Sequence, residues 1–137
     1  TGGKGLHVVT PLVRGPDWDT CLDLSRAVVE KLETRHPGAF TTTMSKAKRH
    51  GKIFLDYLRN ARGATSVAAF STRARPGAPV SVPLSWRELD DPELRPDAWN
   101  VANLPKRLAT LRKDPWADYD TRRARVTIPL KKKLGLA

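Results

Sequence analysis

From Asp17 to Arg35 the residues Trp18, Cys21, Leu22, Ser25, Val28, Val29 and Leu32 recur at helical spacing behind an acid suited to cap a helix. A helix that periodic buries one face, so the rest of the chain has to pack against it. Ahead of it, residues 6–12 read as a short strand, with Leu6, Val8 and Leu12 on one face and His7 and Val9 on the other. Pro11 ends that strand or marks an edge, Arg14-Gly15-Pro16 is a turn, and His36-Pro37-Gly38 stops the helix. A basic connector over 40–51, with Lys46, Lys48 and Arg49, leads to strands predicted over 53–58 and 65–71, paired as a hairpin. Pro76, Pro79 and Pro83 impose an extended segment, Ser85 to Glu88 matches a capping box opening a short helix, and another helix runs from Leu104 to about Arg112. The order strand, helix, hairpin, trailing helices predicts an α+β fold with a largely antiparallel sheet.

At 137 residues and 15.2 kDa the chain suits one core. Its 39% hydrophobic content and four Trp are globular values, and no apolar run approaches the roughly 20 residues of a membrane span. The opening Thr1-Gly2-Gly3-Lys4 has neither an initiator Met nor a secretory leader, which is expected of a piece cut from a longer polypeptide. Cys21, the one cysteine, can form neither an internal disulfide nor a cysteine-based zinc site; it suits a reducing cytoplasm and reads as core filler. A net charge of +11 and a pI near 10.4 favour a polyanionic partner, nucleic acid first. The tail from Asp120 ends in Lys131-Lys132-Lys133, lacks a core period, and is expected to be disordered or packed on an absent neighbour.

In the stretch GKIFLDYLRN (51–60), a strand would point Ile53, Leu55 and Tyr57 one way and Phe54, Asp56 and Leu58 the other. A carboxylate so placed needs cations or donors. One reading is an ion pair with Arg59 or Arg73; the other is a ligand for Mg²⁺ or Mn²⁺, which prefer hard oxygen donors. A two-metal site needs several converging acids, and the rest fall in turns or helix ends: Asp17-Trp18-Asp19, Asp90-Asp91 and Asp118-Tyr119-Asp120. His36 and His50 lack ligand-like spacing and read as surface residues.

Three ordered blocks carry a resemblance: TGGKGLH (1–7), RHGKIFLDYLRN (49–60) and STRARPGAPVS (71–81), continued by PLSWREL (83–89) and DPW (114–116). Together they resemble the polymerase domain of bacterial ligase D, in the archaeo-eukaryotic primase superfamily, over residues 1–119, leaving 120–137 as a basic tail or linker. The resemblance implies template-directed nucleotidyl transfer, filling gaps and extending ends in bacterial non-homologous end joining, often with ribonucleotides. It implies Mn or Mg as cofactor, and as partners DNA with ends or gaps, nucleoside triphosphates, ligase and nuclease modules of the same polypeptide, and Ku. It makes Asp56 the third of three metal-binding aspartates, the first two being an Asp-x-Asp pair expected upstream of Thr1. It assigns Thr1, Lys4, His7, Arg49 and Arg73 to the nucleotide pocket, Thr1 standing where the family has a serine. Glycines at 2, 3 and 5 would let backbone N–H groups approach phosphate, although no Walker hydroxyl follows Lys4. The rival reading is a non-catalytic, basic nucleic-acid-binding or repair-partner module.

Overall fold

The computed structural model describes residues 1–136. The periodic segment is helix α1, Trp18–Arg35, and the Asp17 carboxylate caps it by accepting from Thr20 N at 2.8 Å. Hydrogen bonding by Thr20 holds the Asp17 carboxyl below the ordinary carboxylate range. Strands β1 (Phe40–Thr41) and β2 (Ile53–Phe54) follow, then helices α2 (Leu104–Thr110) and α3 (Ile128–Leu134). Short 3-10 helices lie at Lys46–Arg49, Leu58–Asn60 and Trp86–Asp90.

The chain divides into two compact units rather than closing about one core: Thr1–Pro11 with Val67–Ala124, and Leu12–Ser66 with Arg125–Ala137. In the second unit, α1 packs against β1, the 58–60 turn and α3. The basic tail thus carries a helix seated on α1, capped by the Thr127 hydroxyl and closed by Gly135 in the left-handed conformation.

The α+β class holds, but the antiparallel sheet does not form. The one sheet among the described residues is the pair β1 and β2, and it is parallel, with Phe40 opposite Ile53 and Thr41 opposite Phe54. Arg49 clasps the crossover between them. Its Nε donates to Thr43 O at 2.9 Å and its Nη2 to Met44 O at 2.6 Å, while the guanidinium lies 3.6 Å over the Phe54 ring. Antiparallel pairing survives in the first unit as isolated bridges, Thr72 with Val80 and Pro79 with Asn100. Proline explains the interruption, because Pro79 has no N–H to extend a ladder.

The 53–58/65–71 hairpin is also absent. Asp56 Oδ1 accepts from Leu58 N at 3.0 Å and Asn60 Nδ2 donates to Tyr57 O at 3.0 Å, so side chains take over the backbone groups a ladder would need. No strand forms over 6–12 among the described residues; Pro11 O accepts from Ala124 N at 2.8 Å.

The capping box forms in full, with Ser85 N and Oγ donating to Glu88 Oε2 at 2.7 and 2.9 Å. Glu88 Oε1 meanwhile takes Arg107 Nη1 at 2.6 Å, and Arg107 Nη2 donates to Pro83 O at 3.1 Å. Arg107, from α2, is buried and lies 4.5 Å over the Trp99 ring. This buried cation holds together the proline segment, the 86–90 turn and α2. Nothing in the helical period of α2 marks it out.

Candidate functional site

The glycine-rich start belongs to the first unit and lies against the 73–79 segment. Gly2 is buried with φ +62, and its N–H donates to Pro96 O at 2.9 Å. A methyl group there would meet Arg73 Cγ at 2.9 Å and the Pro79 carbonyl carbon and oxygen at 3.2 Å each. Only glycine accommodates both the left-handed backbone and that approach. Gly2→Ala is therefore expected to destabilise the protein by about 1–2 kcal/mol from backbone conformation alone. Thermal unfolding measures the loss, and an unchanged midpoint would contradict this packing.

At Gly3 three polar groups converge. A Cβ built there would stand 3.8 Å from Thr1 Oγ1, 3.8 Å from Arg75 Cζ and 3.9 Å from Arg73 Nη2. Thr1 Oγ1 donates to Gly5 O at 3.1 Å, bending the start into a turn. Neither Arg73 nor Arg75 has a carboxylate within 4.0 Å among the described residues, so two guanidinium groups beside a glycine backbone leave their positive field uncompensated. Such a cradle suits an anion with several oxygens, and phosphate above all.

Thr1 and Arg73 thus come together at Gly3. Lys4 and His7 follow on the same segment and are exposed to solvent. Arg75 was not assigned from the sequence. Arg75 N donates to Arg73 O at 2.8 Å, and this tight turn, which alternation along a strand does not announce, brings the second guanidinium to Gly3.

Asp56 and Arg49 belong to the second unit. Asp56 follows β2 directly and is solvent-exposed rather than set inside a strand. Besides accepting from Leu58 N, it offers Oδ2 to Arg59 Nε at a loose 3.7 Å, and Arg59 Nη1 also reaches Thr65 O at 3.3 Å. Arg49 is committed to its clasp, a structural duty that the sequence did not announce. Its charge still adds to the basic turn that carries Lys46 and Lys48.

The remaining acids behave as capping and turn residues. Asp91 Oδ1 accepts from Glu93 N, Asp114 Oδ1 from Trp116 N, and Asp118 meets Lys113 and Arg122. No group of three or more His, Cys, Asp or Glu that could hold a metal ion occurs among the described residues. Asp56 fits one oxygen ligand of a divalent-metal centre, and no two further such ligands gather with it among the described residues. His36 and His50 are exposed, as read from their spacing.

The sequence profile of the LigD primase-polymerase domain matches residues 1–116. The chain belongs to that family. A multifunctional non-homologous end joining protein LigD of Pseudomonas aeruginosa is 45% identical over 136 residues, covering 98% of this chain and 16% of that protein. This similarity runs through the basic tail. The multifunctional non-homologous end joining DNA repair protein LigD of Mycobacterium tuberculosis is 40% identical over 95 residues, covering 69% of this chain and 12% of that protein. The chain spans a sixth or less of the length of these curated relatives. Among solved structures, the polymerase domain of Mycobacterium tuberculosis ligase D in complex with DNA matches with a TM-score of 0.70 and 31% identity, over 82% of this chain and 38% of that one. The α+β fold is therefore the family's own. No helix among the described residues is long and apolar enough to cross a membrane.

Proposed function

We propose that the chain supplies part of the nucleotide site of a template-directed nucleotidyl transferase, which fills gaps and extends DNA ends in bacterial non-homologous end joining, often with ribonucleotides. The observation that carries this reading is the convergence of Thr1, Arg73 and Arg75 on the Gly3 backbone. Triphosphate oxygens would take hydrogen bonds from the guanidinium groups and from Thr1, with Lys4 and His7 on the same segment; the assignment of Arg49 to the pocket rests on the family resemblance alone. Neutralising the triphosphate orients the α-phosphate for attack by a primer 3′-hydroxyl and eases departure of pyrophosphate. Asp56 is the oxygen ligand this chain would add to a divalent-metal centre, Mn or Mg, whose bound ion stabilises the attacking and leaving oxygens. DNA with ends or gaps, nucleoside triphosphates, ligase and nuclease modules and Ku are the partners this role entails. Residues 1–119 would form the polymerase part and 120–137 a basic extension of it.

Titration with a fluorescent ribonucleoside triphosphate tests the cradle. Arg73→Ala removes charge-assisted hydrogen bonds of about 1.5–3 kcal/mol, so affinity is expected to fall by one to two orders of magnitude. Arg73→Lys should recover part of the loss, since charge without the planar fork is a weaker match. Unchanged binding in Arg73→Ala would remove the cradle from the nucleotide site. A second reading, which rests on the net charge of +11, is a non-catalytic basic module that binds nucleic acid or a repair partner.

A further inference from the structure

A second cationic concavity, made of none of these residues, lies within the second unit. A cavity of about 460 Å³ is lined by Arg14, Asp17 and Thr20 around the start of α1, by Arg125 and Thr127 just ahead of α3, and by Lys131 within α3. Arg14, Arg125 and Lys131 have no carboxylate within 4.0 Å among the described residues. Asp17 is the acid nearest to hand, but its Oδ1 is spent on Thr20 N as the cap of α1. The charge of Lys131 is among the influences that lower the Asp17 pKa, and this single carboxylate still leaves the three cations in excess. Lys132 and Lys133, next along α3, are exposed and likewise unpaired with any acid.

The lysines in the last turn of α3 suit the negative end of its dipole, and with Arg14 and Arg125 they set a positive field around this concavity. The chain holds this segment against α1, with Thr127 capping α3 through Leu130 N at 3.3 Å. Cations gathered around an open concavity, rather than spread along a disordered arm, make a preformed contact for a polyanion. We propose that this pocket binds the phosphate backbone of duplex DNA, with Arg14, Arg125 and Lys131 each meeting a phosphate and Lys132 and Lys133 extending the field along the strand. The inference takes from the proposed function only that nucleic acid is the polyanion. It adds a backbone contact through which the tail helix would hold DNA while the nucleotide cradle does other work.

The test is fluorescence anisotropy of a short labelled duplex with the full 137-residue chain over a salt series. Neutralising three phosphate contacts with Arg14→Ala, Arg125→Ala and Lys131→Ala should weaken low-salt binding at least roughly tenfold and flatten the log K against log salt slope by about 2.7. The double replacement Arg14→Lys and Arg125→Lys, with Lys131 native, should keep most of the slope. A control that removes Lys46, Lys48 and Lys52 takes away the same charge elsewhere, and circular dichroism shows that each variant is folded. Equal slopes for the pocket variant and the control would overturn the proposal, leaving net charge as the cause. So would competition by a nucleoside triphosphate that binds the pocket while the duplex affinity of the variant stays unchanged. Failure of nucleotide addition in an Asp56 variant speaks to the nucleotidyl-transfer reading and leaves this measurement untouched.

Discussion

Replacing Glu88 with alanine is expected to cost about 3–5 kcal/mol, because it strands the Arg107 guanidinium in a buried setting with no counter-charge. Arg107 has a 6% exposed side chain, and Glu88 Oε1 at 2.6 Å is its acidic partner. The same substitution also strips the two bonds that Ser85 N and Oγ donate to the Glu88 carboxylate. A loss of that size is a large part of the ~5–15 kcal/mol that stabilises a typical domain. The reverse deletion should be milder. Arg107→Met keeps the apolar stem over Trp99, and Glu88, with its side chain 29% exposed, can recover water, so roughly 1–3 kcal/mol is expected. The double variant should be less destabilised than the sum of the two, since the stranded charge is gone; equilibrium unfolding in urea measures all three. Additive losses would mean that the pair is not coupled.

The same carboxylate predicts a pH dependence. Burial pushes the Glu88 carboxyl up, but hydrogen bonds from Arg107 and Ser85 together outweigh it and hold the carboxyl below its ordinary 4.5. A group with a depressed folded pKa binds fewer protons folded than unfolded. Its contribution is complete above pH 4.5 and drains away as pH falls through the folded value. The acid limb of the stability curve should therefore be shallower in Glu88→Ala than in the native chain.

Asp56→Asn carries the largest expected effect on activity. In a longer protein that supplies the other metal ligands, losing one anionic ligand should cost several kcal/mol of transition-state stabilisation, a rate loss on the order of a thousandfold. Stability should barely change. Asparagine keeps an Oδ1 acceptor for Leu58 N, and the ion pair with Arg59 is 3.7 Å long and solvent-exposed, a contact worth about 0–1 kcal/mol. Single-turnover primer extension with Mn²⁺, beside a thermal melt, separates the two effects. A variant that extends primers at the native rate would show that Asp56 merely shapes the turn after β2. One that fails to fold would give the carboxylate a structural weight its exposure does not suggest.

Local features were legible because they depend on neighbours a few residues away. The helical period and Asp17 foretold α1 to its ends, Ser85 and Glu88 foretold the capping box, and Asn103 opened α2 as expected. The ordered blocks around Thr1, Asp56 and Arg73 also sufficed to point to the family. The hairpin failed for a reason that is also local but harder to weigh: Asp56 and Asn60 bond their own backbone in competition with a cross-strand partner, and spacing alone does not show which wins.

The sequence by itself determined where helices start, which family the chain joins and that its surface is cationic, since capping, periodicity and charge are properties of residue type and order. Tertiary structure alone decided that β1 and β2 run parallel, that Arg49 and Arg107 serve as clasps while Arg73 and Arg75 converge on Gly3, and that the basic tail packs on α1. The reason is that an arginine's role follows from the oxygens its guanidinium meets, and those belong to residues far along the chain, as Pro83 and Glu88 are from Arg107.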